Sequence, residues 1–90
     1  MISGIQIRAA RALLAWDQAK LAEASGVSLI TIKRLEAAGD ELQAQFATVV
    51  KVKEALESAG VLFIAAESGM GYGVRLQPKA PKKAKTGRKD

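Results

Sequence analysis

Lys33 and Arg34 stand side by side behind the run Ser28-Leu29-Ile30-Thr31. A guanidinium can donate two parallel hydrogen bonds to a phosphate or to O6 and N7 of guanine. An ammonium supplies a point charge on a flexible stem. The Ser28 and Thr31 hydroxyls can bond phosphates or base edges, and exposed Leu29 and Ile30 side chains would pack on thymine methyls. Gln18 lies ten residues before Ser28, at the expected start of a helix, where an amide and the positive helix end both favour an anion. Each residue also has an ordinary reading. Lys33 and Arg34 could form a solvated helix face, Ile30 or Leu29 could be core, and Thr31 could bond its own helix. Ser28 is first of all a helix cap, and Gln18 could be a plain surface side chain.

Other chemistry is poorly supplied. The chain has no histidine and no cysteine. It therefore lacks the usual general base, imidazole and thiolate metal ligands, a cysteine nucleophile and disulfides. Glu54 and Glu57 share a helix face but have no His or metal partner, so they read as solvated charges. Gly69-x-Gly71-x-Gly73 lacks the Lys-Ser/Thr and the helix of a phosphate loop. No catalytic residue, metal or cofactor is expected, and the chain does not read as an enzyme.

The elements that must position these residues follow from caps and periodicity. Ser3-x-x-Gln6 has the form of a capping box, and Ile7, Ala10, Arg11 and Leu14 fall on one helical face as far as about Ala15. Asp17 caps a short helix from Gln18 to Ala24 or Ser25, with Leu21 and Ala22 inward. Gly26 permits a tight turn. Ser28 caps a third helix, Leu29 to Ala37, with Ile32 and Leu35 inward. Residues 40–47 are ambiguous. A fourth helix runs from about Phe46 to Ala59, its inner face Val49, Val52, Leu56 and Ala59. Trp16 is expected to cap the core. Val61–Ile64 and Val74–Leu76 read as the strands of a hairpin around a turn at residues 68–73.

Counted from Gln18, the residues Ala22, Gly26, Ile32 and Leu35 occupy positions 5, 9, 15 and 18. A small residue at the first lets two helices cross closely, glycine at the second suits the turn, and the last two bury the inner side of the second helix. Its outer side is then free to enter a DNA major groove.

The stretch Trp16-Asp17-Gln18-Ala19-Lys20-Leu21-Ala22-Glu23-Ala24-Ser25-Gly26-Val27-Ser28, with Thr31-Ile32-Lys33-Arg34-Leu35-Glu36, resembles the Cro/phage-repressor type helix-turn-helix (XRE) family over about residues 5–60. The resemblance implies a compact helical bundle whose third helix reads base edges, with dimers on inverted repeats. It also implies an ion pair between Arg11 and Glu36. Relatives often have Ala where this chain has Ile30, and many have a fifth helix where it reads as a hairpin.

The expected fold class is mainly α. A compact four-helix lambda-repressor-like helix-turn-helix domain (residues 1–60) is followed by a β-hairpin (61–76) and a disordered basic tail (77–90). The hairpin is the expected dimerisation element, Phe63 and Ile64 facing opposite sides. The net charge of +5 comes from the tail. Residues 1–76 balance Arg8, Arg11, Lys20, Lys33, Arg34, Lys51, Lys53 and Arg75 against Asp17, Glu23, Glu36, Asp40, Glu41, Glu54, Glu57 and Glu67. Such a tail can bind DNA backbone without sequence preference.

The longest apolar run, Val61 to Ala66, is far short of the ~20 residues of a spanning helix. The first residues lack the pattern of a signal peptide. A cytoplasmic protein without a membrane partner is expected. The expected partners are double-stranded DNA and a second copy, and the expected function is sequence-specific transcriptional regulation on an inverted-repeat operator, with helix 29–37 in the major groove. The alternatives are an antitoxin-like protein that binds a protein partner and autoregulates, and a non-specific architectural DNA-binding protein.

Overall fold

The computed structural model describes residues 2–40 and 44–78. The expectations for Glu41 and for the tail beyond Pro78 lie outside the described residues.

Four helices, α1 (Gly4–Leu14), α2 (Gln18–Ser25), α3 (Leu29–Ala37) and α4 (Phe46–Ser58), precede two strands, β1 (Val61–Ile64) and β2 (Gly73–Leu76). Local chemistry sets most boundaries. The Ser3 hydroxyl accepts from the Gln6 amide, and the Gln6 side chain accepts from the Ser3 amide, so the capping box is complete. The Asp17 carboxylate accepts from Lys20 N–H (2.7 Å), and the Ser28 hydroxyl from Thr31 N–H (3.2 Å). Each satisfies a helix-start amide that would otherwise lack a partner. Gly26, at φ 74°, ends α2 in the left-handed region, as its turn requires. Ala15 ends α1 in the same region at φ 57°, an uncommon conformation for a residue with a Cβ.

The helices enclose Ile7, Ala10, Leu21, Ile32, Leu35, Val49, Val52 and Leu56, with Ile2, Val27 and Val61 at the margins. Ile7, Leu21, Ile32, Val52 and Leu56 are fully buried, each worth about 1.5–3 kcal/mol relative to exposure. Leu14, Trp16 and Ala22 pack against this core from its edge. The start of α1 meets the end of α3: Gly4 N–H donates to the Gly39 carbonyl (2.8 Å). A Cβ at Gly4 would lie 2.3 Å from the Leu35 carbonyl oxygen. Glycine therefore allows the positive end of one helix to abut the negative end of another.

The strands pair antiparallel in the register Val61↔Leu76 to Ile64↔Gly73. Val61, Phe63 and Val74 face the core, with β1 packing on α4 and β2 on α1. Leu62, Ile64 and Arg75 occupy the other face by strand alternation. The tight turn is narrower than residues 68–73. Glu67 and Met70 exchange backbone bonds at 2.9 Å around Ser68 and Gly69. Both central residues have positive φ, 51° and 79°, the pattern of a type I′ turn. The Gln6 amide nitrogen donates to the Ile64 and Gly73 carbonyls, 3.3 and 2.9 Å away, fastening α1 to the open end of the ladder.

Candidate nucleic-acid interface

Gly26, Val27 and Ser28 join α2 to α3. Val27 is buried, and its N–H donates to the Ser25 hydroxyl (3.2 Å). One side of α3 is pressed inward through Ile32, Leu35 and Glu36. The other side carries Ile30, Lys33, Arg34 and Ala37 at helical spacing, all exposed. Ile30 is 69% exposed, which removes the core reading for it; Leu29 beside it is 38% exposed. Among the described residues neither Lys33 nor Arg34 is paired with a carboxylate. Ser28 caps α3 and also donates its hydroxyl to Thr31 Oγ1 (2.9 Å), so both hydroxyls sit at the rim of this face.

Gln18 takes a different place. It lies in the first turn of α2, half-buried, and its Nε2 donates to Glu36 Oε1 (3.1 Å). Glu36 is 3% exposed. Arg11 grips the same carboxylate with two bonds, Nε to Oε2 at 2.6 Å and Nη2 to Oε1 at 2.8 Å. Arg11 Nη1 donates to the Trp16 carbonyl (2.9 Å). The hydrogen bond to Glu36 raises the Arg11 pKa above its ordinary value, against the opposing effect of burial; the negative charges of Glu36 and Asp17 add to the rise. A fork-to-carboxylate bond of this kind fixes orientation as well as distance. The cluster therefore ties α1, the α1–α2 turn and the start of α2 to the inner side of α3.

Along one flank of α3 runs an open groove lined by Thr31, Arg34, Leu35 and Ala38, and by Ala44, Gln45 and Thr48 at the start of α4. Gln45, the residue before α4, makes no side-chain cap bond. Among the described residues the first amides of α4 thus have no side-chain acceptor, and Gln45 lines the groove together with Arg34. Sequence reasoning left residues 40–47 ambiguous but started the fourth helix at about Phe46, where the structure has it; it did not single out the missing cap. The usable signal was a glutamine where Ser, Thr, Asp or Asn would ordinarily cap.

The other charged groups are ordinary surface features. Lys20–Glu23 (3.7 Å) and Lys53–Glu57 (3.8 Å) are exposed pairs one helical turn apart, worth a few tenths of a kcal/mol at most. Lys20 also lies 5.7 Å from the centre of the Trp16 ring. The Tyr72 hydroxyl donates to Asp40, linking the hairpin to the segment after α3. Among the described residues no group of three His, Asp, Glu or Cys side chains is placed to hold a metal. No helix among them is long and apolar enough to cross a membrane. The chain matches no protein-family model and no curated protein sequence.

Proposed function

We propose that the protein is a sequence-specific DNA-binding transcriptional regulator of the cytoplasm. In this reading residues 1–60 form a lambda-repressor-like helix-turn-helix domain of the XRE type, acting as a homodimer on an inverted-repeat operator. The observation that carries the reading is the two-sided build of α3. Its inner face is locked by Ile32, Leu35 and the buried Glu36, while Ile30, Lys33 and Arg34 stand exposed on its outer face and Leu29 is exposed at its first turn. A helix held so rigidly from behind, with cations and apolar side chains in front, suits the major groove, where Arg reads guanine and apolar groups meet thymine methyls. Phosphates on either side would meet the positive starts of α2 and α4. Gln18 supports this from behind: its amide bond to Glu36 sets the start of α2 against α3. Regulation would follow from occupancy of the operator, which blocks or recruits polymerase.

The test is selection of bound duplexes from a random pool. The expected result is enrichment of an inverted repeat whose half-site centres lie about 34–36 Å apart, or a multiple of that spacing. Recovery of duplexes with no common sequence would contradict the reading and favour non-specific binding.

A further inference from the structure

The two edges of the hairpin differ. Gln77 N–H donates to the Gly60 carbonyl (2.8 Å) just beyond the paired residues. Bonded and non-bonded pairs alternate along an antiparallel ladder. With this register, Leu62/Arg75 and Ile64/Gly73 exchange bonds inside the hairpin. The backbone groups of Val61 and Phe63 then point off one edge, and those of Val74 and Leu76 off the other. The β1 edge is covered at Val61, which is 2% exposed and packs toward α4. The β2 edge is less covered: Leu76, opposite Val61, is 44% exposed, while Val74 is half-buried, its side chain turned to the core. Among the described residues no hydrogen bond from outside the hairpin reaches Val74 or Leu76.

We propose that this edge is the seam of the homodimer, β2 pairing antiparallel with β2 of a second copy to form a four-stranded sheet. The inference rests on the DNA-binding reading only for its need of two-fold symmetry. An antiparallel edge is self-complementary, because a two-fold axis sets each donor of the strand opposite an acceptor of its copy. Between Gly73 and Leu76 the edge has no Pro and no bulge, and Arg75 is the one charge on it.

Charge and proline select the register. An axis through Arg75 would oppose two guanidinium groups, an unfavourable like-charge pair. An axis through Leu76 would set Val74 against Pro78, which has no N–H to donate. An axis through Val74 sets Arg75 opposite Gly73 of the second copy and avoids both. Because β2 packs on α1 while α3 packs on α1 and α2, the outer face of α3 stays available.

The chain has no cysteine, so single-cysteine variants of the full chain report this register directly. A Cβ at Gly73 meets nothing within 4 Å, and Arg75 is exposed. Mixing Gly73→Cys with Arg75→Cys under mild oxidation, without DNA, should give a disulfide-linked dimer. Each variant alone should give far less, since identical positions lie diagonally, about 7–8 Å apart. A mixture that links no better than the single variants overturns the seam. In parallel, light scattering should show self-association of Val74→Pro weakened about thirtyfold relative to Val74→Ala, one backbone bond being lost from each copy. Equal self-association of the two, at equal helical content, also overturns it. Neither measurement involves DNA. If the seam fails while duplex selection still yields an inverted repeat, the regulator reading stands and only this interface falls.

Discussion

Around Glu36, α1, α2 and α3 are joined by charge-assisted bonds of 2.6 to 3.1 Å. The hairpin is joined to α1 by one neutral amide, that of Gln6, and by the apolar contacts of Phe63 and Val74. The two fastenings suit different duties. A buried bidentate ion pair adds little net stability over apolar packing, yet it tolerates few alternative geometries. It sits behind the helix whose angle must be held. The hairpin carries no such lock, so its position rests on weaker, more adjustable contacts. That would suit an element whose edge, under the proposed seam, is completed by a second copy.

The largest expected effect breaks the first fastening. Arg11→Ala leaves the Glu36 carboxylate buried with only the Gln18 amide, and should cost about 3–5 kcal/mol in denaturant unfolding. A loss below about 1 kcal/mol would mean that the carboxylate finds water or another partner, and the contrast with the hairpin would dissolve. Gly4→Ala comes next. Its new methyl meets the Leu35 carbonyl, which belongs to a helix and cannot swing aside, so a loss of about 1–3 kcal/mol is expected. Unchanged stability would show that the α1–α3 junction can slide.

Gln6→Ala is expected to cost about 1–2 kcal/mol, because it removes half of the capping box and both bonds to the hairpin. Ser3→Ala removes the cap alone, so the difference between the two isolates the tie to Ile64 and Gly73. Hydrogen exchange should quicken in β1 and β2 for Gln6→Ala and not for Ser3→Ala. The same rate in both would show that the apolar contacts alone seat the hairpin.

Local features were legible in the sequence. Ser3, Asp17 and Ser28 act through amides three residues away, so spacing alone located three helix starts. Periodicity placed Lys33 and Arg34 on the outer side of α3, and the strands fell within a residue of their observed limits. Of the features that depend on distant partners, the Arg11–Glu36 pair was expected from the resemblance, and the others were not legible. The Gln6 amide was expected only to cap α1, yet it also reaches carbonyls 58 and 67 residues away. Gly4 was not singled out, because its constraint comes from the end of α3. Gln18 was correctly placed at the start of α2, but the direction of its amide depends on where Glu36 is buried. The start of α4 was read at Phe46 from periodicity alone, although no capping side chain marks it.

The most direct test of the central claim, that α3 reads bases from its exposed face, is the affinity of Arg34→Ala for the selected duplex and for its single-base variants. The account predicts a loss of about 1–3 kcal/mol on the selected duplex, with relaxed preference at one base pair in each half-site. Lys33→Ala, measured alongside, should weaken all duplexes evenly and lower the salt dependence by about one phosphate contact. Base preferences unchanged in both variants and in the double variant would contradict the account.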